Sequence, residues 1–105
     1  MCQTVILCQK GPTLISQCIE CRIINIWHNN VLLYFTPDDL NTFKNFTASL
    51  EPEECSFPFP DGQDRLILRT PNKDINFCFT DAEWLQFQIA LEEAEYMRSI
   101  YEMLN

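Results

Sequence analysis

Residues 31–43, VLLYFTPDDLNTF, carry the pattern that decides the fold. The run of apolar residues is typical of a short β-strand, and the Thr-Pro pair after it is typical of a helix start. Thr36 is predicted to be the N-cap, because its hydroxyl can accept a hydrogen bond from the backbone amide of Asp39. Pro37 suits the first helical position, where its missing amide hydrogen costs nothing. The stretch therefore predicts a strand that leads directly into a capped helix.

The same order of elements returns in residues 75–87, INFCFTDAEWLQF. Only three of the thirteen aligned positions are identical. The two stretches are therefore explained either by an internal duplication or by two independent uses of a common layout. The chemically similar pairs are Phe35 with Phe79, Thr36 with Thr80, Asp39 with Glu83, Leu40 with Trp84 and Phe43 with Phe87.

Pairs of extended runs on either side of turn-forming residues predict three β-hairpins. Gly11 and Pro12 separate the runs of the first hairpin, HNN at residues 28–30 those of the second, and PNKD at residues 71–74 those of the third. We expect an α+β domain in which the three hairpins form one antiparallel sheet with two helices on one face. The predicted units of this single domain, residues 1–105, are a hairpin at 3–18 and hairpin–helix units at 22–50 and 65–104.

The composition is that of one packed domain, since 47% of the 105 residues are hydrophobic and 12% are aromatic. The formal net charge of −8, from 15 acidic and 7 basic residues, repels nucleic acids and anionic lipids. No basic leader precedes the first apolar run, and no run approaches the roughly 20 apolar residues that cross a bilayer. We therefore expect a cytoplasmic protein that binds neither nucleic acid nor membranes.

The cysteines of QCIEC, Cys18 and Cys21, have a spacing that zinc knuckles use. A tetrahedral site would also need Cys2 and Cys8. A two-residue hairpin turn at residues 11–12 places Cys2 opposite Cys21 and turns Cys18 to the other face of the sheet, unless a bulge intervenes. We prefer to interpret these cysteines as reduced, semi-buried small apolar side chains without a cofactor. A structural zinc site of the four cysteines is the alternative.

No residue of the sequence is predicted to be catalytic. A thiol redox couple needs its first cysteine at a helix N-terminus, whereas a predicted strand follows Cys21, so a redox protein is only a third hypothesis. His28, the single histidine, is predicted to lie in a turn, and no nucleophile motif accompanies it. The acidic residues fall at helix starts and on a polar helix face, where they cap and solubilise. We therefore expect a protein that is not an enzyme.

Two segments are predicted to contact a protein partner. The connection at residues 51–64 contains CSFPFPDG, and its two phenylalanines can dock on a partner or fold over the domain's own core. The last helix, predicted from Asp81 to about Leu104, has a second half too apolar for a solvated end. It either packs back on the domain or meets a second copy in a homodimer. The candidate contact residues are Phe57, Phe59, Tyr96, Ile100, Tyr101 and Leu104.

Three motifs together resemble a family of short proteins of unknown function from Bacteroidetes-type bacteria. They are the opening MCQT, the QCIEC pair leading into IINIW, and the FT junctions before acidic helix starts at Thr36 and Thr80. In that family a histidine often precedes the first cysteine of the pair, whereas this chain has Gln17. The resemblance implies no activity, and the departure at Gln17 weakens a metal-binding interpretation.

The pattern as a whole favours a small cytoplasmic protein-interaction or regulatory domain. The aromatic residues of both halves are expected to close over a shared interior, which leaves little room for a chemical pocket.

Overall fold

The computed structural model describes residues 3–104. It contains seven strands and three helices within that range. The elements in chain order are β1 (Thr4–Lys10), β2 (Thr13–Cys18), β3 (Ile24–His28), β4 (Val31–Phe35), α1 (Pro37–Ser49), α2 (Pro52–Cys55), β5 (Ser56–Pro58), β6 (Asp64–Arg69), β7 (Asn76–Phe79) and α3 (Asp81–Leu104).

The strands form two antiparallel sheets, one of four strands in the order β1-β2-β3-β4 and one of three in the order β5-β6-β7. The α+β class is confirmed, but the prediction of a single sheet is wrong. The segment at residues 51–64, which was predicted to be a loop, explains why there are two sheets. Pro52 begins a short helix, and Ser56–Pro58 then pairs with Asp64–Leu66, so β6 receives its neighbour from this segment.

The first two strands are held by a tight turn and interrupted by a bulge. Gly11 has φ +55°, a conformation that costs glycine little, and Lys10 pairs with Thr13 across the turn. The register then shifts between Ile6 and Cys8, so that Leu7 and Cys8 are both buried. A β-bulge places two successive side chains on nearly the same side of the sheet. Strand β1 thereby presents additional apolar surface to α3.

Both long helices begin at the predicted threonines. The amide of Asp39 donates to Thr36 Oγ1 at 3.1 Å, with Pro37 in the first helical turn. Thr80 and Glu83 form a reciprocal capping box: the Glu83 amide donates to Thr80 Oγ1 at 3.3 Å, and the Thr80 amide donates to Glu83 Oε1 at 2.8 Å. The predicted caps of both helices are confirmed.

Helix α3 packs along the inner face of the four-stranded sheet, mainly against β1 and β2, and also contacts β6 and β7. The second half of α3 also packs against the domain, since Met97 and Tyr101 contact the core. Arg22, after the Cys18–Cys21 turn, forms an ion pair with Glu102 near the end of the helix. At 24 residues the helix is about 36 Å long, which agrees with the elongated shape of 48 × 23 × 23 Å.

An aromatic cluster lies where the two sheets meet α3. The ring of Phe79 is 4.9 Å from that of Phe87 and 5.8 Å from that of Trp84, measured between centroids. Phe77, also from β7, lies 5.5 Å from Phe87. His28, at the end of β3, completes the cluster and connects the four-stranded sheet to the three-stranded one. The core is therefore continuous between the two sheets.

We predict that Phe79→Ala lowers the free energy of unfolding by about 3–5 kcal/mol, the usual cost of a cavity left by a buried phenylalanine. Phe79 is fully buried, whereas Phe57 is 50% exposed. Phe57→Ala is the matched control and should change the free energy by less than about 0.5 kcal/mol. Urea denaturation followed by circular dichroism measures both. Equal losses in the two variants would contradict the central role of the cluster.

Candidate functional site

The outer face of the four-stranded sheet, the side away from α3, exposes several large apolar side chains. Residues opposite each other in an antiparallel pair point to the same side. Ile15 and Ile26 pair with each other and are fully buried on the inner side, so their neighbours Trp27 and Leu14 point outward. We call the outward set the outer sheet face: Thr4, Ile6, Gln9, Leu14, Ser16, Cys18, Asn25, Trp27, Leu32 and Tyr34.

Four large side chains of the outer sheet face are exposed to solvent: Ile6, Trp27, Leu32 and Tyr34, with 48–69% of each accessible. None of its ten residues is charged, although 21% of the chain is charged. At its centre, Asn25 Oδ1 is buried and has no hydrogen-bond partner among residues 3–104. An uncharged face with four exposed large apolar side chains is typical of a surface that another protein covers.

A groove of about 480 Å³ opens beside this face, between β4, α1 and the end of β6. Phe35 and Phe43 are buried in it, with ring centroids 5.1 Å apart, while Tyr34 and Phe46 expose their rings at its edge. Tyr34 belongs both to the groove and to the outer sheet face. The residues that line the groove are Tyr34, Phe35, Asp39, Thr42, Phe43, Phe46, Arg69, Thr70 and Pro71.

Basic residues gather at one end of the groove. Arg69 lines it, and Lys73 lines a neighbouring cavity of about 410 Å³ to which Arg69 also contributes. Neither residue takes part in the ion pairs found within residues 3–104. Thr70 fixes the loop between them, because its hydroxyl oxygen lies 2.9 Å from Asn72 O and 2.7 Å from Ile75 O. Two cationic side chains therefore remain available here for a ligand from solution.

The cysteines considered for zinc are not gathered at one place in the described chain. Cys8 points to the inner side of the sheet, where its thiol donates to Glu93 Oε2 at 3.1 Å. Cys18 points to the outer side, and its sulfur accepts from the Cys21 amide at 3.4 Å. Cys2 lies outside the described residues. No group of three or more histidine, cysteine, aspartate or glutamate side chains that could hold a metal occurs within residues 3–104.

Burial of Cys8, together with its hydrogen bond to Glu93 and the charge of that carboxylate, raises the pKa of the thiol to about 11. Lys10, which forms an ion pair with Glu93 at 3.0 Å, opposes this rise. The thiolate is the reactive form of cysteine. Cys8 therefore remains a neutral thiol near pH 7 and is poorly suited to redox chemistry.

The prediction that His28 lies in a turn is wrong. The histidine is the last residue of β3 and is only 5% exposed. A 2.8 Å hydrogen bond joins its Nδ1 to Thr13 Oγ1, and its ring meets Phe77, Phe79 and Phe87 edge-on. Desolvation lowers the pKa of His28, and the charge of Glu83 only partly offsets this effect. His28 is a buried structural residue in this arrangement.

The predicted contact residues differ in how much of each side chain is exposed to solvent. Phe57 is half exposed, but Phe59 is half-buried beneath the guanidinium of Arg65, which lies 5.2 Å from the ring centroid. On α3, Tyr96 and Leu104 are well exposed. Ile100 and Tyr101 are half-buried, and Tyr101 packs on the core. The candidates Phe57, Tyr96 and Leu104 are thus the accessible members of the set.

Sequence reasoning did not identify the outer sheet face or the groove. The strand VLLYF lacks polar residues at alternate positions, so it resembles a strand buried on both sides. The available signal was the absence of charge from the outward positions of all four strands. No local signal marks the groove, because its residues come from two segments, 34–46 and 69–71, that are distant in the sequence.

No protein-family model matches the chain, and no curated protein and no solved structure matches it either. These comparisons leave the resemblance to the Bacteroidetes-type family as an expectation. Within the described part of the chain, no helix combines the length and the apolar character that crossing a bilayer requires.

We predict that the stability of the protein falls as the pH decreases through about 6.5 and continues to fall until the lowered pKa of folded His28 is reached. The unfolded state binds a proton there that the folded state does not, so stability is complete only above the unfolded pKa. Urea denaturation at intervals from pH 8 to 5 measures this slope. His28→Gln should flatten it, and an identical slope in both proteins would count against the prediction.

A second prediction concerns Cys8. Iodoacetamide at pH 8 should alkylate Cys8 about ten-fold or more slowly than exposed Cys78, because Cys8 is buried and its pKa is raised to about 11. Glu93→Gln should accelerate the reaction at Cys8 and leave that at Cys78 unchanged. Peptide mass spectrometry resolves the two sites. Equal rates at Cys8 in the wild type and in Glu93→Gln would show that the carboxylate does not control the thiol.

Proposed function

We propose that this protein is a small cytoplasmic protein-interaction domain without a catalytic site, and that it self-associates through the outer sheet face. The observation that carries the proposal is the uncharged outer sheet face, with its exposed Ile6, Trp27, Leu32 and Tyr34. Covering these side chains removes apolar surface from water, which is the main driving force of protein association. Aromatic residues are also enriched at such contacts.

Charge opposes a second copy of the chain least at the outer sheet face. Two molecules that each carry −8 repel one another over most of their surfaces. The outer sheet face contributes no like charges, so two copies meet there with the smallest electrostatic cost. Two such faces can stack about 10 Å apart, as in a β-sandwich.

The end of α3 offers a second route to a homodimer, as the sequence suggested. Tyr96 and Leu104 are well exposed there, and Phe57 adds an exposed aromatic ring on β5. The polar network of Arg98 with Glu95 and Glu102 occupies part of the same helix. The charges make this surface less suited than the outer sheet face to close contact between two acidic molecules.

A structural zinc site is the alternative function, and one observation favours part of it. The amide of Cys21 donates to Cys18 Sγ at 3.4 Å, so the two sulfurs share one turn. Arg22 adopts φ +70° just after this turn, a conformation that permits a tight reversal of the chain. Metal analysis of the purified protein tests this alternative, since one zinc per chain would support it. A thiol redox protein remains the third hypothesis.

The two hairpin–helix segments support a proposed internal duplication. Phe35 and Phe79 are both buried at the ends of their strands, and Thr36 and Thr80 both cap the helices that follow. Each helix then buries an aromatic ring seven residues after its cap, Phe43 in α1 and Phe87 in α3.

We predict that Leu32→Glu shifts the protein from dimer to monomer, because it places a carboxylate from each copy inside the contact. Leu85→Glu is the matched control. Leu85 is 59% exposed on α3, so the same change adds the same charge outside the outer sheet face. Light scattering coupled to size exclusion, at concentrations from about micromolar to millimolar, measures the mass of the wild type and both variants.

Three results would overturn self-association through this face. One is a monomeric wild type at every concentration, and another is a dimer that Leu32→Glu leaves intact. A third is dissociation of the dimer by Leu85→Glu or Tyr96→Glu alone, which would show that the dimer contact lies on α3. Circular dichroism should show that each variant retains the wild-type fold.

A further inference from the structure

We propose that the groove between β4, α1 and the end of β6 binds a small aromatic carboxylate. Its shape is the first support. The volume of about 480 Å³ lies within the range of about 300–1,000 Å³ that small-molecule sites occupy. The buried rings of Phe35 and Phe43 and the exposed rings of Tyr34 and Phe46 give it aromatic walls.

Aromatic walls select for a flat aromatic ligand. Rings pack on one another in offset or edge-to-face arrangements, which add to the free energy gained from burial. Phe46 is 40% exposed and Tyr34 is 69% exposed, so both keep ring surface that a ligand can cover. Pro71 adds a further apolar contact from the loop after β6.

The charge of the ligand follows from Arg69. Arg69 is exposed, lines the groove and belongs to none of the ion pairs within residues 3–104. A guanidinium binds a carboxylate through two parallel hydrogen bonds, which fixes both the identity and the orientation of the acid. Lys73, in the neighbouring cavity, adds positive potential at the same end. A single guanidinium within the groove suits one carboxylate group.

Asp39 is the acidic residue of the groove. It lies in the first turn of α1, where the partial positive charge of the helix N-terminus offsets its carboxylate. Asp39 and Arg69 form no ion pair with each other, so the guanidinium remains accessible. A ligand with its carboxylate at Arg69 and its ring along Phe43 and Phe46 places negative charge at the basic end.

Binding at this groove and self-association can be tested separately. The two surfaces share Tyr34, but Arg69 lies outside the outer sheet face and Leu32 does not line the groove. A change at Arg69 therefore tests the ligand site, whereas the change at Leu32 tests the dimer. Either proposal can fail while the other stands.

The test uses two probes of nearly equal size, naphthalene-2-carboxylate and the neutral naphthalene-2-methanol. Each is titrated to millimolar concentration into the full chain, and amide NMR shifts give the affinity and the location. We expect the carboxylate to bind about ten-fold more tightly than the alcohol, as a charge-assisted pair implies. The largest shifts should fall in residues 34–46 and 69–71.

Variants separate the charge from the apolar wall. Arg69→Gln should remove the preference for the carboxylate, whereas Lys44→Gln loses the same charge on α1 outside the groove and should preserve it. Phe46→Ala should weaken both probes to a similar extent. The proposal is overturned if neither probe binds, if the alcohol binds as tightly as the acid, if Arg69→Gln retains the preference, or if the shifts fall on the outer sheet face instead.

Discussion

The burial of His28 among three phenylalanines is the interaction on which the architecture depends. His28 ends β3 of the four-stranded sheet, Phe77 and Phe79 belong to β7 of the three-stranded sheet, and Phe87 belongs to α3. The two sheets share no strand, so contacts between side chains must hold them together. The hydrogen bond with Thr13 satisfies one ring nitrogen of the histidine inside this otherwise apolar cluster. Thus a polar residue becomes part of the core that joins the two sheets.

The distribution of charge gives the two candidate surfaces different characters. The acidic residues lie along the helices and turns, while the outer sheet face carries none of them. Burying an unpaired charge is costly, so a face without charges is the one most readily covered by another protein. At the groove, by contrast, the basic residues Arg69 and Lys73 interrupt an acidic surface. One surface is therefore suited to apolar contact and the other to an anion.

Local signals in the sequence predicted the two long helices and where they begin. Thr36 and Thr80 cap them as expected, because a cap depends only on residues within one helical turn. The position of His28 was missed because its aromatic neighbours occur about 50 residues later in the chain. Strand β5 was missed for a similar reason. A three-residue strand ending in proline has little β-propensity of its own and exists because β6 pairs with it.

The groove and the outer sheet face could not be predicted for the same reason: their residues come together only in the folded chain. Arg69 can form a ligand site only together with Phe43 and Phe46, which belong to α1, much earlier in the chain. The four cysteines, in contrast, were selected from spacing, and strand alternation along β2 puts Cys18 on the side of the sheet opposite to Cys8, which pairs with Ile15. Spacing identifies a metal site only when the backbone brings the ligands to the same side.

The contacts of β1 with α3 have a consequence for how the chain folds during synthesis. Lys10 and Cys8 bind Glu93 across separations of 83 and 85 residues, and α3 covers the inner side of the four-stranded sheet. The first four strands are translated well before this helix. Until it leaves the ribosome, Ile15, Ile24 and Ile26 have no cover from it and remain available to chaperones or to neighbouring nascent chains.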